Sequence, residues 1–90
     1  MLGKERAAYE NTVLVLVPCK AIHTVGMSYA IDVAFVDRWG TVIRSERAVG
    51  PGVRLMTSKG SVMVFERPAA PERVWYKNGE KLDTNLARRQ

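Results

Sequence analysis

The chain predicts a mainly β fold, a β-rich α+β arrangement in one small domain, with antiparallel strands forming a partly closed barrel or rolled sheet. Three observations lead there. Ala30 to Val36 and Thr41 to Val49 are apolar, alternating runs joined by Asp37, Arg38, Trp39 and Gly40, which is hairpin chemistry with Gly40 free to take a positive φ. Val13 to Val17 is an unbroken run of Val and Leu between Thr12 and Pro18, the pattern of a strand buried on both faces. Ser61 to Arg67 alternates, placing Met63 and Phe65 on one side and Val62, Val64 and Glu66 on the other.

The remaining elements are weaker. Leu2 to Glu10 has good helix formers but is short and highly charged, so a helix there is marginal without tertiary contacts. Gly50, Pro51 and Gly52 break the second hairpin arm, and Thr57, Ser58, Lys59 and Gly60 form a turn-rich loop. Pro68 ends the strand begun at Ser61. Pro71 at a first-turn position and the Asn78, Gly79 pair then predict one short helix over about 70–77, with Trp75 in the core and Tyr76 at its rim. Glu80 to Thr84 reads as a last short strand, and residues 85–90 as a polar tail. All 90 residues therefore form a single domain with its core over about 12–84.

Composition narrows the function classes. A net charge of +5 favours anionic partners, but the Lys and Arg are spread from Lys4 to Arg89. Arg38, Arg44, Arg47 and Arg54, with Trp39 and Tyr29, would make a weak electrostatic nucleic-acid surface; interspersed Asp37, Glu46 and Glu66 and the lack of a nucleic-acid motif argue against that partner. The opening residues lack the apolar stretch of a signal peptide, and no run approaches a membrane span. The expected location is cytoplasmic, or exported and envelope-associated if the natural start lies upstream. Cys19 is the only cysteine, which rules out an internal disulfide and fits a reducing compartment. One His and one Cys are too few for a tetrahedral zinc site unless Asp32 and Asp37 contribute or subunits share ligands, so no metal is expected.

The most informative residues lie between Pro18 and Asp32. On an extended strand Ile31, Val33 and Phe35 share one face, and Asp32 shares the other with Ala30, Ala34 and Val36. A carboxylate on an apolar face needs several donors. His23, Thr24 and Ser28 in the preceding loop are the expected ones, so that Asp32 pins that loop and His23, Met27 and Tyr29 face a ligand. Cys19 and His23 would stand about 13 Å apart in an extended segment, which opposes a thiol and imidazole pair. Trp39 at the hairpin tip either packs on another element, the favoured reading, or marks a contact surface. The candidate binding residues are thus His23, Thr24, Met27, Tyr29, Asp32 and Trp39, with no catalytic residue assigned.

The segment PCKAIHTVGMSYAIDVAFVDRWGTVI, together with Leu2, Gly3 and Lys4, SVMVFERPA and NGEKL, resembles domain-of-unknown-function family 192, also called uncharacterised protein family 0127, over nearly the whole chain. Gly26 stands where the commoner Trp-Met-x-Asn-Thr version of the polar segment has Asn, and the family's usual strand ahead of Leu2 is missing. The resemblance implies a small bacterial-type, barrel-like β domain with a short helix and no known cofactor or catalytic residues. The combined expectation is a non-enzymatic binding or accessory module, with its site near residues 18–32 and a protein partner or small ligand. A small enzyme using His23 and Asp32, or a weak nucleic-acid binder, is the alternative.

Overall fold

The computed structural model describes residues 13–82. The Leu2 to Glu10 helix and the tail at 85–90 lie outside them. Within them the chain is small, β-rich and antiparallel. Its strands are β1 (Leu14–Leu16), β2 (Ala21–Ile22), β3 (Ile31–Asp37), β4 (Val42–Val49), β5 (Met56–Thr57) and β6 (Ser61–Pro68). The main sheet has the order β1-β6-β3-β4, and β2 and β5 pair as a separate two-stranded sheet. The expectation is a partly closed barrel or rolled sheet; the described strands close no barrel and form a four-stranded and a two-stranded sheet.

β3 lies between β6 and β4, and its first six residues are all buried. Alternation sends Ile31, Val33 and Phe35 to one face, where Ile22 and Val64 complete a core flanked by Met27, Tyr29 and Met56. Ala34 and Val36 go to the opposite face and pack with Val42, Met63 and Trp75. Each large aliphatic or aromatic side chain buried this way contributes about 1.5–3 kcal/mol. Phe65 shares the Trp75 face as the alternation of β6 requires. Val62 also packs there, close to the register irregularity between Val36 and Asp37. The expected β3–β4 hairpin forms, with Gly40 at φ 84° and its N–H donating to Asp37 O at 3.0 Å.

Three expectations need correction. Val13 to Val17 is not buried on both faces: β1 is an edge strand, with Val13, Val15 and Val17 at 40%, 45% and 60% exposure. Residues 70–77 form a turn and an irregular segment instead of a helix. Their backbone is committed elsewhere, because Ala70 O and Arg73 O both accept from Arg47 Nη2, at 2.8 and 2.6 Å, and Tyr76 O accepts from Ser45 Oγ at 2.7 Å. Those groups tie the segment to β4, a tertiary override of local propensity. Trp75 is nevertheless buried, its indole N–H donating to Val33 O at 3.2 Å, and Tyr76 sits at the rim, edge-on to Phe65. The strand expected at Glu80 to Thr84 is reduced to a single bridge between Thr41 and Lys81, with residues 83–84 outside the described range.

Candidate functional site

Asp32 is 1% exposed and fully committed. Its Oδ1 accepts the Ala48 N–H at 2.9 Å; its Oδ2 accepts Arg67 Nε at 2.9 Å and the Ala70 N–H at 3.3 Å, with Arg47 Nη2 at 3.7 Å. Burial pushes the carboxyl pKa up, but the Ala48 N–H, the Arg67 guanidinium and the Ala70 N–H outweigh it and hold the group below its ordinary value. Asp32 is a structural acceptor, but its donors and the segments it fastens are not the expected ones: it ties β3 to β4, to β6 and to residue 70 and does not pin the preceding loop. None of His23, Thr24 or Ser28 bonds to Asp32, because its side chain lies on the Trp75 face, beside β4 and β6. Arg67, directly opposite Asp32 in the β3–β6 register, is the partner, and its guanidinium stacks 4.6 Å from the Trp75 ring centroid.

The loop after β2 is pinned by another residue. Thr24 is wholly buried; its hydroxyl donates to Gly50 O and accepts the Val53 N–H, both at 2.8 Å. Its backbone N–H donates to Val53 O and its carbonyl accepts from Gly52 and Met27. Thr24 is therefore a fastening between two loops and not a ligand contact. Met27 and Tyr29 are half-buried against the Ile31, Val33, Phe35 core, and His23 is exposed. Neither these residues nor Asp32 belong to the lining of the groove around Trp39. The hydrogen-bond and ion-pair partners of Asp32 are Ala48, Arg67, Ala70 and Arg47, and His23 is not among them.

Trp39 lines a groove. It is 61% exposed, so the expected packing against another element is not what happens. Asp37 fixes its turn: Oδ1 accepts the N–H groups of Trp39 and Thr41, both at 2.9 Å. The Arg38 guanidinium covers part of the indole at 4.5 Å from the ring centroid. Two other turns meet this one. Residues 18–20 are fastened to the β5–β6 region by Cys19 N–H to Val62 O at 2.9 Å, Ser61 Oγ to Cys19 O at 2.8 Å and Thr57 Oγ1 to Lys20 O at 2.8 Å. The turn before β6 is closed by Ser61 N–H to Ser58 O at 3.1 Å.

Between the three turns lies an open groove of about 720 Å³. Pro18, Ile43 and Val62 supply apolar surface, and Lys20, Arg38 and Lys59 supply one cation from each turn. Asp37 is the only carboxylate among the lining residues. Sequence reasoning named Arg38 and Trp39 but missed Lys20 and Lys59, which are brought together by the Ala21↔Thr57 pairing of β2 with β5. Two-residue strands leave no periodic signal by which that pairing could be found.

Among the described residues no group of three or more His, Cys, Asp or Glu side chains is placed to hold a metal ion, and no helix is long and apolar enough to cross a membrane. Comparison of the chain with protein-family models, with curated proteins and with solved structures finds no match in any of the three.

Proposed function

We propose that this chain is a non-enzymatic binding module whose ligand seats in the groove around Trp39. One observation carries the reading: three turns separated in sequence place an exposed indole and three cations around an apolar floor. Binding residues are commonly presented on loops by a rigid sheet, and a groove of this size suits a small ligand or a short segment of a larger one. The site is thus drawn from the Pro18 end of the expected 18–32 region and not from its His23 to Asp32 end. Kinship with family 192 belongs to the same proposal, and it assigns no ligand.

A thermal-shift screen against metabolites, nucleotides, oligonucleotides and short peptides tests this. A ligand held only by the folded chain raises the melting temperature saturably. The expected result is a rise with at least one class that is lost on combining Trp39→Ala with Lys59→Ala. A rise that survives both substitutions would place the site elsewhere and refute the proposal. Turnover of any substrate abolished by His23→Ala would favour the enzyme alternative instead.

A further inference from the structure

We infer that the ligand of this groove is a single-stranded nucleic-acid segment, with a base stacked on the indole of Trp39 and its flanking phosphates held by Lys20, Arg38 and Lys59. The inference rests on the groove being the binding site. In the sequence, interspersed Asp37, Glu46 and Glu66 and the lack of a motif oppose nucleic acid; the fold collects Lys20, Arg38 and Lys59 within one groove whose lining includes Asp37 but neither glutamate.

The local charge balance is positive, since three cations face a single carboxylate, and that carboxylate already accepts two backbone N–H groups through Oδ1. The chain as a whole carries +5, which adds long-range attraction for a polyanion. Trp39 supplies what a purely electrostatic surface lacks. The residue stays 61% exposed, while Trp75 and Phe35 are buried in the two cores. An aromatic face beside a basic groove is the device by which single strands are held without base-edge readout. The Arg38 guanidinium carbon lies 4.5 Å from the ring centroid, so a cation that can pair with phosphate oxygens stands beside the indole.

The shape of the site separates strand from duplex. The major groove of a duplex admits a projecting helix or β-ribbon, whereas these cations line a concavity between turns. An unstacked strand can enter such a groove; a paired one keeps its base faces covered. An acidic peptide would meet the three cations equally well, but it has no use for an exposed indole beyond ordinary apolar contact.

Fluorescence anisotropy with labelled single-stranded DNA and RNA of about 12 nucleotides, within the range that small single-strand sites cover, provides the test. Saturable binding is expected, with log K falling against log salt at a slope of about −2 if three phosphates are neutralised. Trp39→Ala should weaken binding roughly 5- to 150-fold with its salt slope unchanged. Lys20→Ala with Lys59→Ala should flatten the slope to about −0.7. Melting temperatures near that of the parent chain would show that both variants fold. An abasic strand binding as tightly as the intact one, or Trp39→Ala binding as the parent does, would reduce the interaction to charge and overturn the inference. A Glu-rich peptide bound through Trp39 while oligonucleotides fail would overturn it and leave the groove standing as a site. Failure of every probe to bind in a Trp39-dependent way would remove both.

Discussion

Replacing Asp32 with Asn keeps the side chain's size and removes its charge, so it isolates the buried clamp between β3, β4 and the 69–77 segment. The native carboxylate takes one donor on Oδ1, from Ala48, and two on Oδ2, from Arg67 and Ala70. An asparagine offers one acceptor oxygen, and its NH₂ must face one of those donors with another donor. Arg67 also loses its counter-ion while its side chain is only 10% exposed. Removing one member of such a pair costs about 3–5 kcal/mol, because the charge left behind is buried and uncompensated. In a domain of this size about 1 kcal/mol moves the melting temperature by roughly 4–8 °C, so the fall should be at least about 12 °C. Urea titration should show a lower midpoint at unchanged m. Combining the change with Arg67→Met should cost less than the two single losses together, since the stranded guanidinium is then gone. A loss below about 1 kcal/mol for Asp32→Asn would refute the argument that this carboxylate holds the segment to the sheet.

The other expectations concern neighbouring groups. Glu66 is 3% exposed and burial pushes its pKa above the ordinary 4.5, opposite in direction to Asp32. Its folded form binds the proton more tightly than the unfolded chain, so stability falls as pH rises from about 4.5 through the folded pKa. Asp32 behaves in reverse: its contribution is complete above 3.8 and disappears as pH drops through its folded value. Glu66→Gln should therefore raise the melting temperature at pH 7 and lose that advantage below pH 4.5; an equal effect at both would sink the assignment. Thr24→Val should cost about 1–3 kcal/mol in urea unfolding, because the Val53 N–H and Gly50 O lose a buried partner. Ala48 stands at φ 54°, a region costly for a side chain, so Ala48→Gly should stabilise by about 0.5–1 kcal/mol; a lower urea midpoint would contradict it.

What could be read from the sequence was set by period and by turn chemistry. The β3–β4 hairpin was legible because Asp37 and Gly40 have few conformational alternatives between two apolar runs, and the two faces of β3 followed from alternation alone. The 70–77 segment was misread because Pro71 and the Asn78, Gly79 pair are compatible with a helix in isolation, whereas Arg47 and Arg67 arrive from β4 and β6 to take its carbonyls. No local signal encodes a guanidinium that is 23 residues away. Asp32 was recognised as a group needing donors, yet its donors were sought nearby in sequence. The β3–β6 register, which puts Arg67 opposite, is a non-local fact.

The same distinction explains why the candidate site shifted from His23 and Asp32 to Trp39. A buried carboxylate attracts attention in a sequence because it is out of place among apolar residues, but its three hydrogen bonds and two guanidinium neighbours occupy most of its acceptor sites. Lys20 and Lys59 are ordinary in the sequence, since exposed lysines at turns require no explanation. They acquire meaning only when Cys19, Lys20, Thr57 and Ser61 fasten the two turns together beside Trp39. Loosening that fastening should therefore weaken ligand binding without touching a ligand. Thr57→Val removes the hydroxyl that reaches Lys20 O at 2.8 Å from an exposed position. Its stability cost should stay near 1 kcal/mol or less, while affinity for a ligand of the groove should drop. Unchanged affinity would mean that the Thr57 hydroxyl is dispensable and that Lys20 is held in place by the Ser58 N–H, which also reaches Lys20 O at 3.3 Å, and by the bonds of Cys19.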